Sequence, residues 1–332
     1  GDVLSEWTLG MEPMLRAENL AHCAFLHITW QYGAHDALQF RSATNLFIAG
    51  CTIRHFAGDA IRLDGGLSNT VRSCDIYSMG RGGVYAAGGD RRRLTAGGHQ
   101  ILNNHFHHLS RIHPTYTPAA LLAGVGHRVA HCLAHDIASS AIRISGNEHL
   151  IEMNEICHVV KESDDQGGAE LYGNPTYRGV RFLHNFWHHI GRQPGETITA
   201  EVGRAAIRLD DAISGVVIHG NVFLHCGAGT KNMFGSVQIH GGKDNEVDAN
   251  IIALAPAALS FSPWSESRWR EHIAGVLEKP DIDRDLYLRR YPALASLADD
   301  PNRNWILRNY IWRCDMLGWR APGANHWIAN LV

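Results

Sequence analysis

Residues 151–158 read "IEMNEICH", and the parsing of this octet decides the fold. Apolar residues alternate with others on both sides of Asn154, and His158 stands four places beyond it. Alternation with period two marks a half-buried strand, whereas an Asn in its midst marks a bend, because Asn is a poor strand residue. The phrase recurs as "AHCAFLH", "IAGCTIRH", "VRSCDIYS", "ILNNHFHH", "VAHCLAHD", "FLHNFWHH", "IHGNVFLH", "VDANIIAL" and "ILRNYIWR". Its pivots are Cys23, Cys51, Cys74, Asn104, Cys132, Asn154, Asn185, Asn221, Asn250 and Asn309, always Asn or Cys. Between pivots a second phrase returns, a small residue and then apolar, any, apolar: "DAIRL", "AALLA", "SAIRI", "GAELY", "AAIRL", "GSVQI" and others.

Neither phrase buries a face alone, so each unit must stack on its neighbours. The pivots lie 22 to 36 residues apart, then 59 before the last, which suits a solenoid with variable loops better than propeller blades. The pattern predicts an all-β, right-handed parallel β-helix of about ten coils, with two alternating strands per coil and a rise of ~4.8 Å between coils. Identical pivots then sit above one another, Asn amides hydrogen-bond in a ladder, and Cys fills the same slot as a small apolar substitute. Residues 1–332 read as one such domain, with an irregular, partly helical insertion at 264–303 before a last coil at Asn309, covering an end or a side of the solenoid. Trp264 and Trp269 in that insertion are expected to pack on the coil wall rather than line a cleft.

With four of the seven cysteines assigned to the ladder, structural thiols rather than a disulfide framework are expected. His27, His55, His108, His158, His189 and His225 each fall four residues past a pivot, so they should line one edge of the solenoid. Repetition over many coils describes a turn residue, whereas a metal site needs one convergent cluster, so no metal and no cofactor are predicted. The formal net charge of −3 offers nucleic acid no basic footprint. No apolar run has the ~18 residues of a membrane span, and Gly1–Gly10 lacks the pattern of a signal peptide. Lysine occurs only at Lys161, Lys231, Lys243 and Lys279, leaving arginine as the main cation, suited to bidentate contact with carboxylates or hydroxyl-rich ligands.

Against this background the stretch "VKESDDQGGAELYG" (160–173) concentrates Glu162, Asp164, Asp165 and Glu170 around a glycine pair. Aligning the second phrases puts Arg62, Tyr85, Leu122, Arg143, Glu170, Arg208, Gln238 and Ser260 in one outward column, and Ser145, Tyr172, Asp210 and His240 in the next. Asp165 enters the strand of Glu170, and Asp210–Asp211 leave the strand one coil further on. Two acidic clusters distant in the chain thus share one wall. Paired carboxylates are the machinery of glycoside hydrolysis, one protonating the leaving oxygen and the other, ionised, attacking the sugar or activating water. Arg143 and Arg208 flanking Glu170 should hold its carboxylate ionised, making it a poor general acid.

The runs "SRIHPTYTPAALLAGVGHRVAHCLAHD", "SAIRISGNEHLIEMNEICHVVKESDDQGGAELYG", "AAIRLDDAISGVVIHGNVFLHCG" and "VQIHGGKDNEVDANI" resemble the β-helix glycoside hydrolases of family 141, with α-L-fucosidase and xylanase activities among its members. The resemblance covers roughly residues 45–332. It implies an acidic pair from the "DD.G" and "LDD" motifs, Asp165 with Asp210 or Asp211. Glu170 stands where the family has Tyr, and Arg208 stands where it has Tyr before "LDD", so the two read as a joint exchange to an ion pair. The expected catalytic set is therefore Asp165, Asp210, Asp211 and Glu170, with Arg143, Asp164, Tyr172, Arg208 and His240 shaping the sugar subsite. The expected partner is a carbohydrate, acted on outside the cytoplasm, in an extracellular or periplasmic setting. Two other classes fit the same solenoid. A polysaccharide lyase or uronate epimerase would use Lys161 with Arg143 and Arg208, and a non-catalytic glycan-binding solenoid would offer aromatic platforms without a close carboxylate pair.

Overall fold

A computed structural model describes residues 12–191 and 201–332; the stretch Gly1–Gly10, read above as no signal peptide, lies outside them. The described chain winds through three long sheets, each visited once per coil, with strand orders that step regularly along the sequence. Apart from one short hairpin, Val84–Asp90 with Thr95–Ala96, the strand pairings are parallel. A coil therefore has three strands rather than two. The pivot phrase contains two of them, as in Leu150–Glu152 and Glu155–Cys157, and Asn154 turns the corner between. The second phrase forms the third strand, and its sheet runs from Leu15–Glu18 through Ile142–Asn147, Gln166–Tyr172, Arg204–Asp210 and Val237–His240 to Gly318–Trp319.

In-register stacking puts like upon like. Ile61, Val84, Ala120, Ile142, Ala169, Ile207, Val237 and Leu259 form one inward column, all at 2 % exposure or less. Each large aliphatic in it contributes on the order of 1.5–3 kcal/mol by burial. The third rung corrects the phrase reading. Leu121, not Leu122, pairs with Tyr85 and Arg143 on the outer face, and Leu122 is fully buried. The run "PAALL" was parsed one residue late because its first inward residue is an alanine.

The Asn ladder stands as expected. Asn154 Nδ2 donates to Asn185 Oδ1 (2.9 Å), Asn185 to Asn221 (2.9 Å), Asn221 to Asn250 (3.0 Å) and Asn250 to Asn309 (2.9 Å). It continues one rung past the expected last coil, to Asn330 (2.9 Å). At its other end the reading slips: Ile28 holds the corner below Cys51, whereas Cys23 stands before the strand Ala24–Leu26. His27, counted from Cys23, consequently leaves the histidine row and lies against Gly50 at the pivot corner. The row itself exists further on, with His158 stacked on His189 at 5.4 Å and His189 beside His225 at 5.1 Å. All seven cysteines are free thiols.

A second ladder at the opposite corner was not anticipated. The side chains of Asn69, His99, His127, His149, Asn245, Asn304 and Asn325 each accept the backbone N–H one coil earlier, at 2.9–3.3 Å. The imidazoles use Nδ1 for this and turn Nε2 to the carbonyls of Ala87, Ala123 and Ser145, so they are neutral Nε2–H tautomers.

The insertion carries helices Glu266–Ile273 and Arg284–Arg290, capped by Ser265 and Asp283. It lies along the side of the solenoid, not over an end. Tyr287 donates to the Arg91 carbonyl (2.8 Å), Tyr291 donates to Glu148 (3.0 Å), and the buried Lys243 ammonium donates to the carbonyls of Ser296 and Asp299. Trp264 and Trp269 sit in its small core with Ala212, Val276 and Tyr287. Among the described residues no helix is long and apolar enough to cross a membrane.

Candidate active site

The outer face of the sheet formed by the second phrase carries the candidate site. The predicted register holds: Arg143 pairs with Glu170, Glu170 with Arg208, Arg208 with Gln238, and Tyr172 with Asp210. Loops and rings then cover these outward positions. Tyr116 stacks on the Arg143 guanidinium at 4.1 Å and Phe234 lies 5.2 Å from that of Arg208, leaving Glu170 and Arg208 only 3 % and 4 % exposed.

Arg208 is the hub. Its Nη2 lies 2.7 Å from Asp165 Oδ1 and 2.9 Å from Asp210 Oδ1, and its Nη1 lies 3.7 Å from Glu170 Oε1 and donates to the Asp165 carbonyl. Two contacts to one nitrogen bound the Asp165–Asp210 oxygen separation at 5.6 Å. His240 Nδ1 adds contacts to Asp210 (2.8 Å) and Asp211 (3.2 Å), and Arg268 Nη2 reaches Asp211 at 3.4 Å. Arg268 is itself held over the Trp264 ring at 3.8 Å, so the insertion contributes one wall. A guanidinium shared by three carboxylates positions them rigidly, and its removal would leave like charges unneutralised.

The electrostatics differ from the simple charge count. Burial raises the Glu170 carboxyl above its ordinary value, and neither Arg143 nor Arg208 fully offsets that cost. The direction of the shift is opposite to that expected from the flanking cations: desolvation outweighs them. Partial burial also raises the Asp165 carboxyl, opposed by Arg208 and reinforced by the negative charge of Asp210. Asp165 remains about half exposed, open to solvent.

Two residues expected at the site are turned elsewhere. Asp164 is paired with Arg204 at 2.9–3.0 Å, and Lys161 donates to Asp136 at 2.9 Å, so Lys161 is not poised beside the acids as a lyase base. Tyr172 is open to solvent at 58 % exposure, on the rung paired with Asp210. The sequence reading also passed over Gln166 and used Gln238 only as a column marker. Gln166 Nε2, Gln238 Oε1 and Arg208 Nε are buried polar atoms without a protein partner, clustered at the carboxylates. Such atoms cost stability unless a ligand or water meets them. The ligand atoms of Asp210, Asp211 and His240 also converge enough to hold a cation, but Arg208 and Arg268 already contact the same carboxylate oxygens.

The chain matches the family model described as "Right handed beta helix region" over residues 15–115 and 36–187. Together these spans take in more than half of the chain, which therefore belongs to the right-handed β-helix family. Neither the curated proteins nor the solved structures gave a match.

Proposed function

We propose that this protein is a glycoside hydrolase of the family 141 type, acting on a poly- or oligosaccharide with a pair of carboxylates. The right-handed β-helix is compatible with carbohydrate-active enzymes. The observation that carries the reading is the convergence of Asp165 and Asp210 on one Arg208 nitrogen, beside buried polar atoms that have no protein partner. Asp165, half exposed and with a raised pKa, acts as general acid to the leaving oxygen. Asp210, paired with Arg208 and His240, acts as the nucleophile, with Asp211 steadying His240 from the other side. Glu170 and Arg143 set the floor of the subsite, and Gln166, Gln238 and Tyr172 meet sugar hydroxyls and a ring face. The separation of the two carboxyl groups decides between retention, at ~5–5.5 Å, and inversion, at ~6.5–9.5 Å with room for water. Action outside the cytoplasm, in an extracellular or periplasmic setting, belongs to the same proposal.

The test is a screen against aryl glycosides and plant and bacterial polysaccharides, with the first product followed by NMR. Hydrolysis is expected, and the anomeric configuration of the first product reads out retention or inversion. A product absorbing in the ultraviolet through a new double bond would make the enzyme a lyase and overturn the reading, and binding without turnover would make the solenoid a glycan-binding module.

A further inference from the structure

The sheet built from the second strand of the pivot phrase, on another face of the solenoid, carries a cluster that the proposed chemistry does not use. Asp75 and His105 are paired directly across adjacent strands, Asp75–Tyr77 and His105–His107, and His107 lies two residues on, facing the same side. Asp75 Oδ1 lies 3.1 Å from His105 Nδ1 and 3.3 Å from His107 Nε2. The oxygen is nonetheless buried and accepts no hydrogen bond.

The surrounding hydrogen bonds explain why. His135 Nδ1 lies 2.8 Å from Asp136 Oδ2, a carboxylate held by Lys161, so His135 must donate there. Its Nε2 is then an acceptor, and His105 Nε2, 2.8 Å away, must donate to it. That leaves the lone pair of a neutral His105 on Nδ1, pointing toward Asp75. His107 Nδ1 lies 2.8 Å from His108 Nδ1, and in the tautomer in which His107 donates to His108 its own lone pair, on Nε2, is the one on the side of Asp75. Two lone pairs and a carboxylate oxygen facing one another repel unless a cation lies between them. Outer hydrogen bonds that fix the imidazole tautomer in this way are the usual support of metal-ligating histidines.

We propose that Asp75 Oδ1, His105 Nδ1 and His107 Nε2 bind a borderline divalent transition-metal ion of the zinc type. The three atoms lie within 4.8 Å of one another, and the two contacts to Asp75 match the edge of about 3.3 Å that ligands span on a tetrahedron at zinc bond lengths. Two imidazoles and one carboxylate suit Zn2+ rather than Ca2+ or Mg2+, which take oxygen ligands. Burial, then the neighbouring His105, lowers the His107 pKa, keeping that ring in its ligating form. The fourth position is open to water, since Asp75 and His105 are each more than two-fifths exposed. A second group on this sheet, Glu155, Cys157 and His188, is a weaker candidate: burial pushes the Cys157 thiol up to about 11, away from the ligating thiolate. The expectation that the histidines hold no metal counted the edge row, whereas this cluster lies on the sheet face between its turns.

The experiment is calorimetric titration of the untagged, chelator-treated protein with ZnCl2, with Co2+ absorption at 500–650 nm as a second probe of the same site. One equivalent should bind, and the His107→Gln variant should weaken binding by at least ~100-fold with the circular dichroism spectrum unchanged. His135→Phe, which removes only the outer hydrogen bond, should weaken it by ~10–100-fold. If His107→Gln fails to fold, the half-exposed Asp75→Asn takes its place with the same expected loss. Absence of binding at micromolar Zn2+, equal affinity in His107→Gln and wild type, or loss only in His188→Gln would each overturn the proposal.

Discussion

Acidification from pH 7.5 to 4.5 should destabilise this solenoid through its buried histidine ladder. His127 and His149 each accept a backbone N–H at Nδ1 and donate from Nε2, so neither ring has room for another proton. Burial lowers His127 from 6.5 to about 3 and His149 to about 4, with the neighbouring imidazole adding to the His127 shift and Glu148 opposing that of His149. In the unfolded chain both titrate near 6.5. Below that pH the unfolded state binds protons that the folded state refuses, so stability falls as pH falls through the window from 6.5 toward 3. At ~1.4 kcal/mol per pKa unit, two pH units cost about 2–3 kcal/mol per ring, or about 5 kcal/mol for the two. The assay is urea denaturation at both pH values on wild type and the His127→Asn/His149→Asn double variant, which keeps the rung as Asn245 and Asn304 do. Carboxylates held below their ordinary range, such as Asp136 and Asp248, lose stability in acid equally in both proteins, so the difference isolates the histidines. An acid loss in the double variant within about 1 kcal/mol of wild type would refute the argument.

Three further outcomes are expected. Asn221→Ala breaks bonds to Phe182, Asn185 and Asn250 and should cost at least ~2 kcal/mol; Asn221→Cys should cost about 1 kcal/mol less in the same urea titration, since Cys132 serves that slot elsewhere. Trp269→Ala empties the insertion core and the bond to Leu297, which should cost ~3–5 kcal/mol locally and expose the insertion to limited proteolysis before the coils. Gln238→Leu, at an atom without a protein partner, should raise KM about tenfold with kcat little changed in steady-state kinetics on the sugar substrate.

Much of this molecule could be read before folding because a solenoid repeats its physics. Asn at the pivot corner recurs since only a compact amide satisfies both its own and the neighbouring coil, and the column Arg143, Glu170, Arg208 followed from phase alone. The errors have equally local causes. An alanine in an inward slot shifted Leu121 and Leu122, and an isoleucine at the first corner let Cys23 stand in for Ile28. The second ladder was hidden because it passes from Asn to a run of three His and back to Asn, two residue types that share an acceptor but no sequence likeness. What lay beyond the sequence was the balance between burial and charge at Glu170, the turning of Asp164 to Arg204, and the convergence of side chains from separate strands at Asp75.

The central claim is that coil register joins Asp165 and Asp210, far apart in the chain, into one hydrolytic pair around Arg208. Its most direct measure is turnover of a hydrolysed aryl glycoside by Asp165→Asn and Asp210→Asn, with Asp164→Asn as the control bound to Arg204. Loss of at least ~100-fold in kcat for both members of the pair, and little for the control, is predicted. Full activity in either Asp165→Asn or Asp210→Asn would contradict it.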